Sequence, residues 1–239
     1  MDRKITHTCQ GKQLKSRVVS SVLSGTPPDA LFFDVDGVLI DSLQIKGEAF
    51  AYTFNDFPNS REVVLDFHLA NGGVTRSEKI SLIYRLLAGA HASQEEIQER
   101  SARFGDNLQH RIVAAAEVPG ANAALRRWTL LCPLYAVSAT PDREISNVLT
   151  ARGIESYFRG IHGWPPPKDR VISGIVNQQG YDANRCVLVG DSQEDLLASR
   201  SAGVRFVHVR APATKVLLGG HPTISDLHDL DSAITMALT

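Results

Sequence analysis

From Leu31 onward, short apolar runs alternate with segments whose apolar residues recur at helical spacing. Strand-like runs fall at Leu31–Asp34, Leu134–Ser138, Cys186–Gly190, Arg205–Val209 and Thr223–Ser225. A segment with helical spacing or polar caps follows each run, which is the pattern of a parallel sheet covered on both faces. The alternation breaks between about Ser42 and Arg111, where no strand-like run occurs. Four amphipathic stretches take its place: Ile45–Phe54, Arg61–Ala70, Arg76–Leu87 and Gln94–Val113. Leu82, Leu86 and Leu87, for example, share one helical face. The pattern predicts an α/β chain with a helical module of about 70 residues inserted after the first strand. Pro119-Gly120 is expected to start a helix over Ala121–Trp128, with Pro119 in its first turn. Trp164-Pro165-Pro166-Pro167 reads as a rigid loop, because sheet pattern resumes beyond it.

Composition narrows the function classes. A chain of 239 residues, 43% apolar and 21% charged, has the usage of a soluble globular protein, either one large domain or a core with one insertion. With 25 basic and 26 acidic residues, bulk charge gives no case for nucleic acid or a membrane surface. An anionic substrate must therefore be held by local positive groups or a metal. Cys9, Cys132 and Cys186 are few, far apart and odd in number, as expected of reduced thiols in the cytoplasm, and no CxxC or Cys/His cluster points to zinc. No apolar run reaches membrane-spanning length. Residues 1–28 carry Arg3, Lys4, Lys12, Lys15 and Arg17 without an apolar stretch suited to a signal peptide, and read as an extension closed by Pro27-Pro28.

The chemistry concentrates in four segments. Asp34-Val35-Asp36-Gly37 follows the apolar run Ala30–Phe33, so two carboxylates arrive where a buried strand ends. Ligands of open α/β sheets bind beyond the carboxyl ends of strands. One carboxylate there can accept a phosphoryl group, and the other can pass protons to and from the leaving and attacking oxygens. Ser138 ends the second strand candidate, with Thr140 and Pro141 placed as helix N-cap and first helical residue; it offers a hydroxyl to a phosphate oxygen. Lys168 follows three prolines at the start of a helix over Asp169–Gln178, where the dipole does not favour a cation, so its charge is free to neutralise carboxylates and a phosphoryl group. Gly190-Asp191-Ser192-Gln193-Glu194-Asp195 closes a further strand. Magnesium prefers a few hard oxygens, and Asp34, Asp191 and the main-chain carbonyl of Asp36 would suit it. Asp195 has two readings of equal weight, as a metal-site carboxylate or as the far member of a capping box with Ser192.

Asp34-x-Asp36-Gly37-Val38, Ser138, Lys168 and Gly190-Asp191-Ser192-x-x-Asp195 occur in the order of the four motifs of the haloacid dehalogenase superfamily, and the chain resembles it from Ala30 to Val209. That resemblance implies a Rossmann-like core, a nucleophilic Asp34, an acid/base Asp36, Mg2+ and a helical cap after the first motif. Residues 29–42 and 111–239 would then form the core and 43–110 the cap. Asn71-Gly72-Gly73-Val74-Thr75-Arg76 is similar to a cap segment of β-phosphoglucomutase-like members, with Arg76 a candidate anchor for the far end of a substrate. Lys46 stands where those mutases carry a histidine, and Gly72 where they carry a lysine. The expectation is a Mg2+-dependent phosphatase of a small phosphorylated metabolite. A sugar-phosphate mutase of the same fold is the alternative enzyme. A non-catalytic binding protein would be expected to lack one of Asp34, Asp36, Lys168 and Asp191, and all four are present.

Overall fold

The computed structural model describes residues 26–210 and 218–239. Residues 1–25, and with them most of the extension expected at 1–28, lie outside the described residues. Six parallel strands form one sheet in the order β3-β2-β1-β4-β5-β6. They are β1 (Ala30–Phe33), β2 (Leu134–Pro141), β3 (Gly160–Trp164), β4 (Cys186–Gly190), β5 (Arg205–Val209) and β6 (Thr223–Ile224). Between β1 and β2 come α1 (Leu43–Thr53), α2 (Arg61–Ala70), α3 (Arg76–Ala88), α4 (Gln94–Ala114) and α5 (Ala121–Trp128). The remaining helices are α6 (Asp142–Ala151), α7 (Lys168–Gln179), α8 (Gln193–Ala202) and α9 (Leu230–Leu238).

Strand alternation divides the core into two layers. Leu31, Phe33, Leu134, Ala136, Val187 and Val189 point to one face and pack with Leu125 and Trp128 of α5, Ile145 and Leu149 of α6 and Ile234 of α9. Ala30, Phe32, Tyr135, Val137, Cys186 and Leu188 point to the other, against Ile172 and Val176 of α7 and Leu196 of α8. Burial on both faces explains why the strands read as continuous apolar runs. Cys132 and Cys186 are buried free thiols. The helices α1–α4 bury Phe50, Phe54, Val64, Ile80, Ile83 and Phe104 together. Arg100 ties that module, donating to Thr53 O and bidentately to Asp56 while lying over the Phe54 ring.

Four details differ from the sequence expectation. β3 carries no distinctive apolar run, since Gly160-Ile161-His162-Gly163-Trp164 has two glycines and a histidine, yet it pairs with β2. β2 continues to Pro141, so Thr140 lies in the strand, and Pro141 is the N-cap of α6, which begins at Asp142, rather than its first helical residue. Pro119 precedes the α5 N-cap, Gly120, instead of entering the first turn. Lys168 is itself the first residue of α7.

Candidate active site

The strand order reverses at β1, which has β2 on one side and β4 on the other. Such a reversal opens a crevice at the carboxyl ends of the strands. Phe33 lies opposite both Ala136 and Val189, so the ends of three adjacent strands meet at that crevice: Asp34 is one residue beyond this register on β1, and Ser138 and Asp191 are two residues beyond it on β2 and after β4. All three are buried. The turn after β1 closes through Gly37 N donating to Ile40 O at 2.8 Å. Gly37 has φ +78°, and a Cβ there would lie 2.4 Å from Asp191 Oδ2, so glycine is what lets this turn lie against that carboxylate.

Two pairs of charges organise the centre. Lys168 Nζ reaches Asp34 Oδ1 at 2.9 Å and Asp195 Oδ1 at 2.5 Å. Lys168 therefore lies between two buried carboxylates. Asp34 Oδ1 also accepts from Val35 N at 2.7 Å. Asp195 is the far member of the capping box and also lies beside the carboxylates of Asp34 and Asp191. Its Oδ2 accepts from Ser192 N and Oγ, completing the capping box of α8, while one of its oxygens lies within 4.8 Å of oxygens of Asp34 and Asp191.

The second pair was not foreseen. Lys46 Nζ on α1 donates to Asp36 Oδ2 at 2.5 Å and to Thr140 Oγ1 at 2.9 Å, and Ser42 Oγ donates to Asp36 Oδ1 at 2.6 Å. The sequence marked Lys46 only as a departure from mutases; its reach to Asp36 spans one helical turn beyond Ser42, which a helix starting at Leu43 makes possible.

The electrostatics follow. Burial pushes Asp34 up to about 7, against the opposing pull of Lys168. Burial and the neighbouring Asp34 and Asp195 raise Asp191 well above the carboxylate range. Burial also acts on Asp36, but Lys46, Ser42 and Thr140 outweigh it and hold that carboxyl below its ordinary value. Lys168 is opposed by burial, yet Asp195 and Asp34 keep its ammonium above the usual lysine range. Crowded, buried carboxylates of this kind are relieved by a divalent cation, and an all-oxygen donor set fits Mg2+.

The α1–α4 module covers the crevice. Gly73, with φ +77°, lies so close that a Cβ would fall 2.7 Å from both Ser192 Oγ and Glu194 Cβ. Beneath it is a cavity of about 60 Å3 lined by Asp34, Asp36, Lys46, His68, Arg76 and Lys79, among others. Arg76 lines the cavity, and its guanidinium is engaged bidentately by Glu144 of α6 and stacks on Phe104. Ser138 Oγ accepts from Thr140 N at 3.1 Å, leaving its hydroxyl proton free to point elsewhere. His68 and Lys79, both buried in the cavity wall, were not singled out in the sequence, because a histidine and a lysine within helical patterns read as ordinary surface residues.

The sequence profile of haloacid dehalogenase-like hydrolases matches residues 31–209. Among curated proteins, the chain is 26% identical over 201 residues to a phosphoglycolate phosphatase of Pseudomonas fluorescens, covering 77% of this chain and 70% of that one. It is 28% identical over 192 residues to a phosphoglycolate phosphatase of Pasteurella multocida, covering 73% and 82%. Among solved structures, a predicted phosphoglycolate phosphatase from Haemophilus somnus superposes with a TM-score of 0.69 at 20% identity, over 84% of this chain and 96% of that one. A putative β-phosphoglucomutase from Thermotoga maritima superposes with a TM-score of 0.63 at 18% identity, over 87% and 99%. With the motif residues assembled in one crevice under a helical insertion, the chain is an enzyme of the haloacid dehalogenase-like hydrolase family, in its helical-cap branch.

Proposed function

We propose that this chain is a Mg2+-dependent phosphatase that hydrolyses a small phosphorylated metabolite through an aspartyl-phosphate on Asp34. The observation that carries the reading is the division of labour between the two carboxylates of the first motif. Asp34 is paired with Lys168 and grouped with Asp191, whereas Asp36 is separately held by Lys46, Ser42 and Thr140. That separation supports Asp34 as the group that bonds to phosphorus and Asp36 as the group that handles protons.

In the first step Asp34 attacks phosphorus in line, an Asp34 O–P bond forms, and the P–O bond to the leaving group breaks as the Asp36 carboxylate takes the proton of the substrate's phosphate monoanion and passes it to that oxygen. In the second, Asp36 takes a proton from water, whose oxygen attacks the aspartyl-phosphate and returns Asp34 to the carboxylate. Lys168 and the Ser138 hydroxyl stabilise charge on the phosphoryl oxygens. Asp34, Asp191 and the Asp36 carbonyl would hold Mg2+, with Asp195 behind them, and the ion would supply charge neutralisation at the transferring group. Residues 43–110 act as the cap and residues 29–42 and 111–239 as the core. The small cavity under the cap supports a compact substrate, and the phosphoglycolate phosphatases among the relatives make 2-phosphoglycolate the first compound to try. No described helix is long and apolar enough to cross a membrane, in keeping with a cytoplasmic enzyme of metabolite chemistry.

The test is phosphate release from a panel of phosphorylated metabolites, with and without Mg2+. Release that requires Mg2+ and is fastest on a small phosphorylated acid or sugar is expected. Phosphorus NMR showing isomerised sugar phosphate in place of inorganic phosphate would instead assign a mutase, and no turnover of any compound would remove the hydrolase reading.

A further inference from the structure

The cations around the cavity are unequally committed. Lys46 is paired with Asp36 and Arg76 with Glu144, and Lys168, beside the cavity, is paired with Asp34 and Asp195. Lys79, one turn beyond Arg76 on α3, is the exception. It is 3% exposed and lines the cavity, and among the described residues no carboxylate lies within 4.0 Å of its ammonium. Among the described residues its one hydrogen-bond partner is His68 Nδ1 at 3.2 Å. His68 Nε2 lies 3.0 Å from Leu43 O, a group that can only accept, so Nε2 carries the ring proton and Nδ1 presents a lone pair to Lys79. The imidazole is therefore neutral and takes one of the three ammonium protons. Phe50 offers its ring face at 5.5 Å and no further hydrogen bond.

A buried ammonium without a counter-charge is costly, and proteins keep such groups where something completes them. Burial, with Lys46 nearby, lowers Lys79 to about 8 against the weaker upward pull of Glu194, Asp191 and Asp36, none of which touches it. The completing group must be small and carry about one negative charge, since Lys79 offers two remaining N–H donors in a cavity of about 60 Å3. The phosphoryl end belongs to Asp34, Lys168 and Ser138.

We propose that Lys79 is the specificity residue that binds the substrate's carboxylate, so that the preferred substrates are small phosphate esters that also carry a carboxylate. The proposal rests on reading the Asp34 side of the cavity as the phosphoryl site. Lys79 contacts the substrate's far end and takes no part in bond making. His68 is its positioning partner, fixed by Leu43 O so that the ammonium cannot turn away from the cavity.

The test compares 2-phosphoglycolate with 2-hydroxyethyl phosphate, which has the same length and a hydroxymethyl group in place of the carboxylate. A charge-assisted contact of this kind corresponds to about a 10- to 100-fold preference. In the unmodified enzyme kcat/KM should favour phosphoglycolate by that factor, Lys79→Met should collapse the ratio towards one, and Lys79→Arg should restore part of it. Equal losses on both substrates would overturn the proposal, as would a ratio near one in the unmodified enzyme. Calorimetric titration of both compounds into the Asp34→Asn chain with Mg2+, with and without Lys79→Met, reads the contact without turnover. Carboxylate-selective binding that requires Lys79, with no phosphate release by the unmodified chain on any compound, would sustain this inference while the hydrolase reading fails. Phosphate release with a ratio indifferent to Lys79 would do the reverse.

Discussion

Replacing Lys46 by Met removes the cation that holds Asp36 while keeping most of the side chain's length. Lys46 Nζ lies 2.5 Å from Asp36 Oδ2, and the two side chains are only 13% and 16% exposed, so solvent does little to screen the contact. A hydrogen bond to a charged group contributes about 1.5–3 kcal/mol. Ser42 at 2.6 Å and Thr140 at 3.2 Å still hold the carboxylate in the variant, which places the loss at the lower end, about 1.5–2 kcal/mol. That is a factor of about 10 to 30 in rate. The discriminating assay uses two leaving groups. kcat/KM reports the steps up to formation of the aspartyl-phosphate, and an alkoxide leaving group needs a proton from Asp36 where a nitrophenolate does not. Losing the cation lets Asp36 rise towards its ordinary value and shifts the pH profile, so the variants are compared each at its own pH optimum. There the loss of aim at the leaving oxygen should lower kcat/KM about 10- to 30-fold on an alkyl phosphate and only about threefold or less on para-nitrophenyl phosphate. kcat should fall on both, because water activation follows either transfer. Equal losses of kcat/KM on the two substrates, in protein with an unchanged melting temperature, would refute a role through Asp36.

Three further outcomes follow from the same contacts. Asp191→Ala should weaken Mg2+ binding about 100-fold or more and Asp195→Ala about 10- to 100-fold, since Asp195 is already engaged by Lys168 and Ser192; calorimetric titration with unchanged affinity in the Asp191 variant would displace the proposed metal site. His68 is lowered to about 3 by burial and by Lys79, so the fold binds it neutral. The stability this contributes is complete above the unfolded value near 6.5 and is lost as pH falls below it. Between pH 7 and pH 5 the loss is about 2 kcal/mol, and His68→Gln, which can both donate to Leu43 O and accept from Lys79, should flatten the pH dependence of denaturant unfolding by that amount. Arg76 and Glu144 join α3 of the cap to α6 of the core, with Glu144 45% exposed, so a double-mutant cycle of alanine variants should give a modest coupling of about 0.5–1 kcal/mol; additive effects would show that the pair does not fasten the cap.

Much of this was legible because β1 and β4 are buried on both faces and end in polar residues, so apolar runs pointed directly to Asp34 and Asp191. The helical insertion was legible from spacing alone, and α2 and α5 fall on their expected residues. β3 was not, because its two glycines and His162 give no apolar signal and its pairing with β2 is a long-range choice. Lys46 and Lys79 were opaque for a related reason. Each looks like a solvated lysine on an amphipathic helix, and only the docking of α1 and α3 over the strand ends buries them. Arg76 illustrates the opposite limit: its place in the cavity was visible from the glycine-rich turn, whereas its pairing with Glu144, 68 positions away, was not.

The central claim is that Asp34 carries the phosphoryl group. It is tested most directly by acid-quenching the enzyme within its first turnovers on a substrate that it hydrolyses with Mg2+, and measuring the mass of the peptide that contains Asp34. The account predicts that this peptide gains one phosphoryl group, that the adduct is lost on treatment with hydroxylamine, and that folded Asp34→Asn protein neither forms it nor releases phosphate. Phosphate release at the normal rate with an unmodified Asp34 peptide throughout, or sustained turnover by the Asp34→Asn variant, would contradict it.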